Sequence, residues 1–122
     1  MSNEDNRQKE IDIVSKTIYN EARGEGKEGM NLVADTIRNR EQANKSYLGG
    51  SDLEKICNKG YEGARGKDPN PIHPGDKVAF EHSRQLAEKL INGNYQAGTN
   101  YTHFASSRNS FKKMEDKGGL NF

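Results

Sequence analysis

The residue pattern predicts an α+β fold class that is predominantly helical: one domain with long loops and at most a small sheet. Three observations carry this. Apolar residues recur at spacings of three and four in several stretches of the chain. Between them lie connectors rich in Gly, Pro, Asn and charge, the longest from Asn58 to Gly75. A single segment, Asn100-Tyr101-Thr102-His103-Phe104-Ala105, has the aromatic and β-branched content of a strand.

Bulk properties set the frame. A chain of 122 residues suits one modest core. The hydrophobic and charged fractions are both 30%, so the protein is very polar for its size. The helical spacing of its apolar residues argues for folding rather than disorder. With 19 basic and 18 acidic residues, the net charge of +1 gives no electrostatic footprint for nucleic acid. Cys57 is alone, so no internal disulfide can form, which suits a reducing compartment. The N-terminus lacks the apolar stretch of a secretory signal, and no run is long enough to cross a bilayer. The expectation is a monomer with no stable membrane insertion.

Residues 1–9 read as a flexible, solvated N-terminal arm, leaving 10–122 as the functional domain. A first helix is expected from Ile11, Val14, Ile18 and Ala22, with Ile13, Thr17 and Tyr19 widening its face. Gly24 and Gly26 stop it. A second helix is expected over 27–40, with Met30, Val33, Ala34 and Ile37 as its stripe. Arg38 and Arg40 near its end complement the helix dipole. A polar connector over 41–50 follows. Ser51-Asp52-Leu53-Glu54 matches a capping box, opening a short helix that carries Leu53, Ile56 and Cys57. The loop to Gly75 is long enough to suggest a functional role or disorder. Asp76 is the expected N-cap of a further helix, with Ala79, Phe80, Ser83, Leu86, Ala87, Leu90 and Ile91 forming its stripe and Gly93 ending it. One or two helical turns are expected from Ser110 to Lys117.

The segment from Ile18 to Gly26, Ile-Tyr-Asn-Glu-Ala-Arg-Gly-Glu-Gly, puts Glu21 at the end of a helix and Glu25 beyond a glycine break. A carboxyl held rigidly and partly shielded from water keeps its proton more readily than a solvated one. Such an acid can protonate a leaving glycosidic oxygen. By spacing alone, the commoner reading is that Glu21 and Glu25 are solvated charges flanking Arg23.

The wording of the whole motif goes further. Ile18 to Gly26, followed by Glu28-Gly29-Met30, Val33-Ala34 and Asn39-Arg40, resembles the SleB-like cell-wall hydrolases, a group that includes spore-cortex-lytic enzymes and phage lysis proteins. Leu53-Glu54-Lys55-Ile56 and Thr102-His103-Phe104 are similar to further parts of that family, whereas Cys57-Asn58 stands where a Gln is common. The resemblance implies a lysozyme-like fold, cleavage of peptidoglycan glycan strands, and Glu21 as the catalytic acid. It also points to a lytic transglycosylase, in which the muramoyl C6 hydroxyl closes onto its own C1 and no second catalytic carboxylate is needed. A hydrolytic muramidase and a non-catalytic glycan-binding module are the rival readings.

Around Glu21, Asn20 is expected to bond N-acetyl groups, and Glu25 to brace the loop by accepting backbone N–H groups. Tyr61, Tyr101 and His103 are expected to meet sugar faces, although Tyr101 could equally be a half-exposed edge residue. His73, His82 and His103 lie far apart, and no His-x-x-x-His, Cys-x-x-Cys or calcium-loop spacing occurs, so neither metal nor cofactor is expected. Cys57, on an apolar stripe, reads as core. Synthesis in the cytoplasm without a signal, followed by release to the wall, would suit a phage endolysin.

Overall fold

The structure, a computed structural model, describes residues 3–22 and 24–104. The helical turn expected over 110–117 and Arg23 lie outside the described residues.

Four α-helices form the domain: α1 (Asn3–Ala22), α2 (Gly26–Ala43), α3 (Leu53–Gly60) and α4 (Pro74–Asn92). Two 3-10 turns, Ser46–Leu48 and Glu62–Arg65, flank α3. Helix α1 is the axis of the fold, packing most extensively on α4 and also touching α2, α3 and the Glu62–Arg65 turn. Its stripe of Ile11, Val14, Ile18 and Ala22 is buried, as the spacing requires. Thr17 is fully buried as well, and its hydroxyl donates to the Ile13 carbonyl at 2.7 Å, so burial costs it no unmet hydrogen bond. Met30, Val33, Ala34 and Ile37 of α2, Leu53, Ile56 and Cys57 of α3, and Leu86, Ala87 and Leu90 of α4 complete one core. Tyr19 meets Phe80 edge to face, with ring centres 5.9 Å apart.

Several boundaries differ from the sequence expectation, each for a local reason. The N-terminal arm is helical from Asn3: residues 4–9 extend α1 as an exposed polar end, with Glu4 and Asp5 favourably placed in its first turn. The cap of α3 is Asp52 rather than Ser51, its carboxylate accepting the Lys55 N–H at 3.2 Å. Helix α4 starts before Asp76. His73 occupies the N-cap without a side-chain bond, and Pro74 opens the helix, where its missing N–H costs nothing. Asp76 contributes instead as a first-turn acid.

No strand occurs among the described residues. The segment over 100–104 reaches the core without a partner strand because side chains take its carbonyls. Asn39 Nδ2 donates to Thr99 O and Tyr101 O, both at 2.8 Å, and Arg40 Nε donates to Thr102 O at 2.6 Å. No helix of the described residues is long and apolar enough to cross a membrane.

Candidate functional site

The last turn of α1 and the Glu62–Arg65 turn form a tight corner. Glu21 is half-buried there, and the Gly63 backbone N–H donates to its Oε2 at 2.7 Å. The neighbouring Asn20 closes the same joint, its Nδ2 donating to Gly63 O and Lys67 O, both at 2.9 Å. Lys16 pairs with Asp68 at 3.1 Å one helical turn earlier. This approach depends on glycine. A Cβ at position 63 would stand 3.0 Å from Thr17 O and Asn20 Cβ, and 3.1 Å from Glu21 Cγ. The carboxylate is thus fixed through one oxygen on the backbone of an otherwise irregular segment.

Tyr61, Cys57 and Arg40 form the surroundings of this corner. The Tyr61 hydroxyl bonds the Thr36 hydroxyl at 2.6 Å, and the Arg40 guanidinium stands 4.9 Å from the centre of its ring. Burial pushes the Tyr61 hydroxyl well above its ordinary range, against the opposing pull of Arg40 and of the Thr36 bond. Burial likewise pushes the Cys57 thiol up to about 12, opposed by a bond with Thr17 and by the charge of Arg40. The negative charge of Glu21 reinforces both shifts, so it lies within electrostatic reach of two groups held neutral.

The other residues singled out from sequence fall in different places. Tyr61 is only 3% exposed and offers no ring face to a sugar, since its ring fills the core under Arg40. Asn20 spends its amide donor on the 63–67 backbone rather than facing outward with it. Glu25 is exposed and makes no capping bond with its side chain at the start of α2, so it does not brace the loop as expected. Tyr101 is half-buried and His103 exposed, on the segment anchored to α2 by Asn39 and Arg40. The structure therefore joins Asn20 and Glu21 around Gly63, with Tyr61 beneath, and attaches Tyr101 and His103 to α2.

Three contributors escaped sequence reading. Gly63 lay unremarked in a long loop. Arg40, read as a dipole partner, is buried at 5% exposure. Asp35 is equally buried and accepts from the Tyr95 hydroxyl at 2.5 Å, and from Gly98 N and Thr99 Oγ1 at 3.1 Å each. Burial and the Asp35 carboxylate raise the Tyr95 hydroxyl well above its usual range, so it stays a donor. The signal was present for Asp35, an acid that directly follows the apolar run Leu32-Val33-Ala34.

Cavities on the described surface include two of small-ligand size. One of about 520 Å³ has an apolar floor of Ile13, Pro69 and Phe80 within a rim of mixed charge that includes the Arg84–Asp12 pair. The other, of about 500 Å³, lies between α2 and the chain after α4. Glu21 lines neither of these two. Among the described residues, no three His, Cys, Asp or Glu side chains converge as metal ligands would. Comparison with protein families, with curated proteins and with solved structures gives no match to this chain.

Proposed function

We propose that this protein cleaves the glycan strands of peptidoglycan between N-acetylmuramic acid and N-acetylglucosamine, as a lytic transglycosylase with Glu21 as its acid and base. The observation that carries the proposal is the setting of Glu21: a half-buried carboxylate at the rigid end of α1, with Oε2 on the Gly63 N–H at 2.7 Å. The bond to Oε2 leaves the other oxygen for proton transfer. The resemblance of residues 18–40 to SleB-like enzymes supplies the substrate class, and a small helical domain is compatible with their lysozyme-like fold.

In this reading Glu21 donates its proton to the glycosidic oxygen as the bond to muramoyl C1 breaks. The C6 hydroxyl of the same sugar then attacks C1 and returns its proton to Glu21. The products are a 1,6-anhydromuramoyl end and a free N-acetylglucosamine hydroxyl, with no water consumed. The nucleophile is part of the substrate, so the attack gains the effective molarity of an intramolecular reaction. One protein carboxylate therefore serves both proton transfers. Action on the wall after cytoplasmic synthesis, as by a phage endolysin, belongs to the same proposal.

Glu21→Gln tests it. The amide oxygen can still accept from Gly63 N–H, so folding should survive, while the transferable proton is gone. Clearing of purified cell walls should slow by about a hundredfold or more, the usual scale of general acid catalysis. Equal clearing by the variant and the wild type would reject Glu21. Clearing by neither, with walls still bound, would favour a non-catalytic glycan-binding module.

A further inference from the structure

We infer that the cavity between the C-terminal half of α2 and the chain following α4 is a second saccharide site, which seats an acetamido sugar bearing a carboxylate. The naming of the sugar as a muramoyl unit, one whose lactyl carboxyl carries no peptide, rests on the peptidoglycan reading above; the chemistry of the site does not.

The cavity measures about 500 Å³, within the range of small-ligand sites. Among the described residues, its lining includes the amides of Gln42, Asn94, Gln96 and Asn100 and the cation Arg38, with no carboxylate. All four amide side chains belong to exposed residues. A primary amide offers two donors and an acceptor, which suits ring hydroxyls and an acetamido group. Arg38 supplies the preference for an acid. Its Nη1 is committed to Glu41 at 2.7 Å, whereas its Nε is buried with no hydrogen-bond partner. The Nε–Nη2 edge of a guanidinium is the fork that a carboxylate grips with both oxygens. A small turn of the Arg38 side chain toward a bound carboxylate would satisfy a donor that the fold leaves unmet.

The wall of the cavity is built in advance. Gly93 adopts φ 78°, turning the chain back so that Asn94 and Tyr95 N–H groups both reach Lys89 O. Buried Asp35 then holds Tyr95, Gly98 and Thr99, and Asn39 holds the carbonyls of Thr99 and Tyr101. Little backbone ordering remains when a ligand enters, and the exposed amide side chains are what must settle.

The test is an amide NMR titration of the whole protein with N-acetylmuramic acid and, separately, with N-acetylglucosamine. Saturable shifts are expected at the side chains of Gln42, Asn94, Gln96 and Asn100. The carboxylate-bearing sugar should bind about tenfold more tightly, the scale of one charge-assisted hydrogen bond. Arg38→Gln should erase that preference, and Gln42→Ala with Gln96→Ala should weaken both sugars while the remaining spectrum stays in place. Absence of saturable shifts at these amides, or equal affinity for the two sugars, would overturn the inference. The two proposals separate cleanly. Wall clearing without these shifts removes only the second site, and these shifts without wall clearing remove only the cleavage reaction.

Discussion

Replacing Gly63 with alanine tests how Glu21 is held. The new Cβ would lie 3.0 Å from Thr17 O and Asn20 Cβ, and 3.1 Å from Glu21 Cγ. Two of these neighbours are fixed by the backbone of α1, so the Glu62–Arg65 turn must give way. A retreat of a few tenths of an ångström stretches the 2.7 Å bond from Gly63 N to Glu21 and both Asn20 bonds. Overpacking of this kind costs about 2 kcal/mol. A misplaced catalytic group costs up to roughly a hundredfold in rate. Urea unfolding and wall clearing should therefore both respond to Gly63→Ala. Gly66→Ala is the internal control. Its Cβ would meet only the Asn20 Nδ2 at 3.2 Å among close neighbours, a side-chain tip that can move, so its loss should be less than half as large. Gly63→Ala with wild-type stability and clearing would refute the claim that backbone contact at position 63 positions the acid.

Three further outcomes follow from the described groups. Cys57 is buried and its thiol is pushed up to about 12, chiefly by burial, so a thiol reagent at pH 8 should label it only as fast as the protein unfolds; rapid labelling of the native protein would contradict this. Glu10 is raised above its ordinary 4.5, first by burial and then by the charges of Asp52, Glu54 and Glu41. The folded state thus holds the extra proton, and stability present below about pH 4.5 is lost as pH rises through the folded value. Glu10→Gln should stabilise the protein at pH 7, by only a few tenths of a kcal/mol, ~0.3, because water screens the site, with the gain vanishing near pH 3. His82 is lowered from 6.5, first by burial and then by Lys27 and Lys89, so the unfolded chain takes up the proton first. Stability should fall slightly as pH drops through 6.5, and His82→Gln should flatten that slope in urea titrations at pH 5 and pH 7.5.

Helix stripes were legible in the sequence because burial imposes a period on apolar residues. Ile11, Val14, Ile18 and Ala22 were read as one face and are one face. Helix starts were less legible, because several neighbouring residues can cap. Asp52 and Ser51 are both good N-cap types, and only the backbone turn selects Asp52. At position 74, proline's fixed φ outranks the capping propensity of Asp76. The site was legible only in part. Glu21 could be placed at a helix end, but its partner is a backbone N–H forty-two residues away, and a backbone donor leaves no residue-type signature. Tyr61 was misread for a related reason. An aromatic residue in a polar loop looks available to a ligand, yet a hydroxyl partner in Thr36 and a cation in Arg40 make burial affordable. Asn39 and Arg40 do not end α2, which runs on to Ala43, and their use as clamps on the 99–102 carbonyls belongs to tertiary structure.

The central claim is that Glu21 alone manages the protons of an intramolecular ring closure. Mass spectrometry of the soluble fragments released from purified peptidoglycan tests it most directly. Wild-type protein should release chains ending in 1,6-anhydromuramic acid, with no oxygen incorporated from ¹⁸O-labelled water, and Glu21→Gln should release almost none. Fragments ending in reducing muramic acid that carry the label, or anhydro ends in equal yield from the variant, would contradict it.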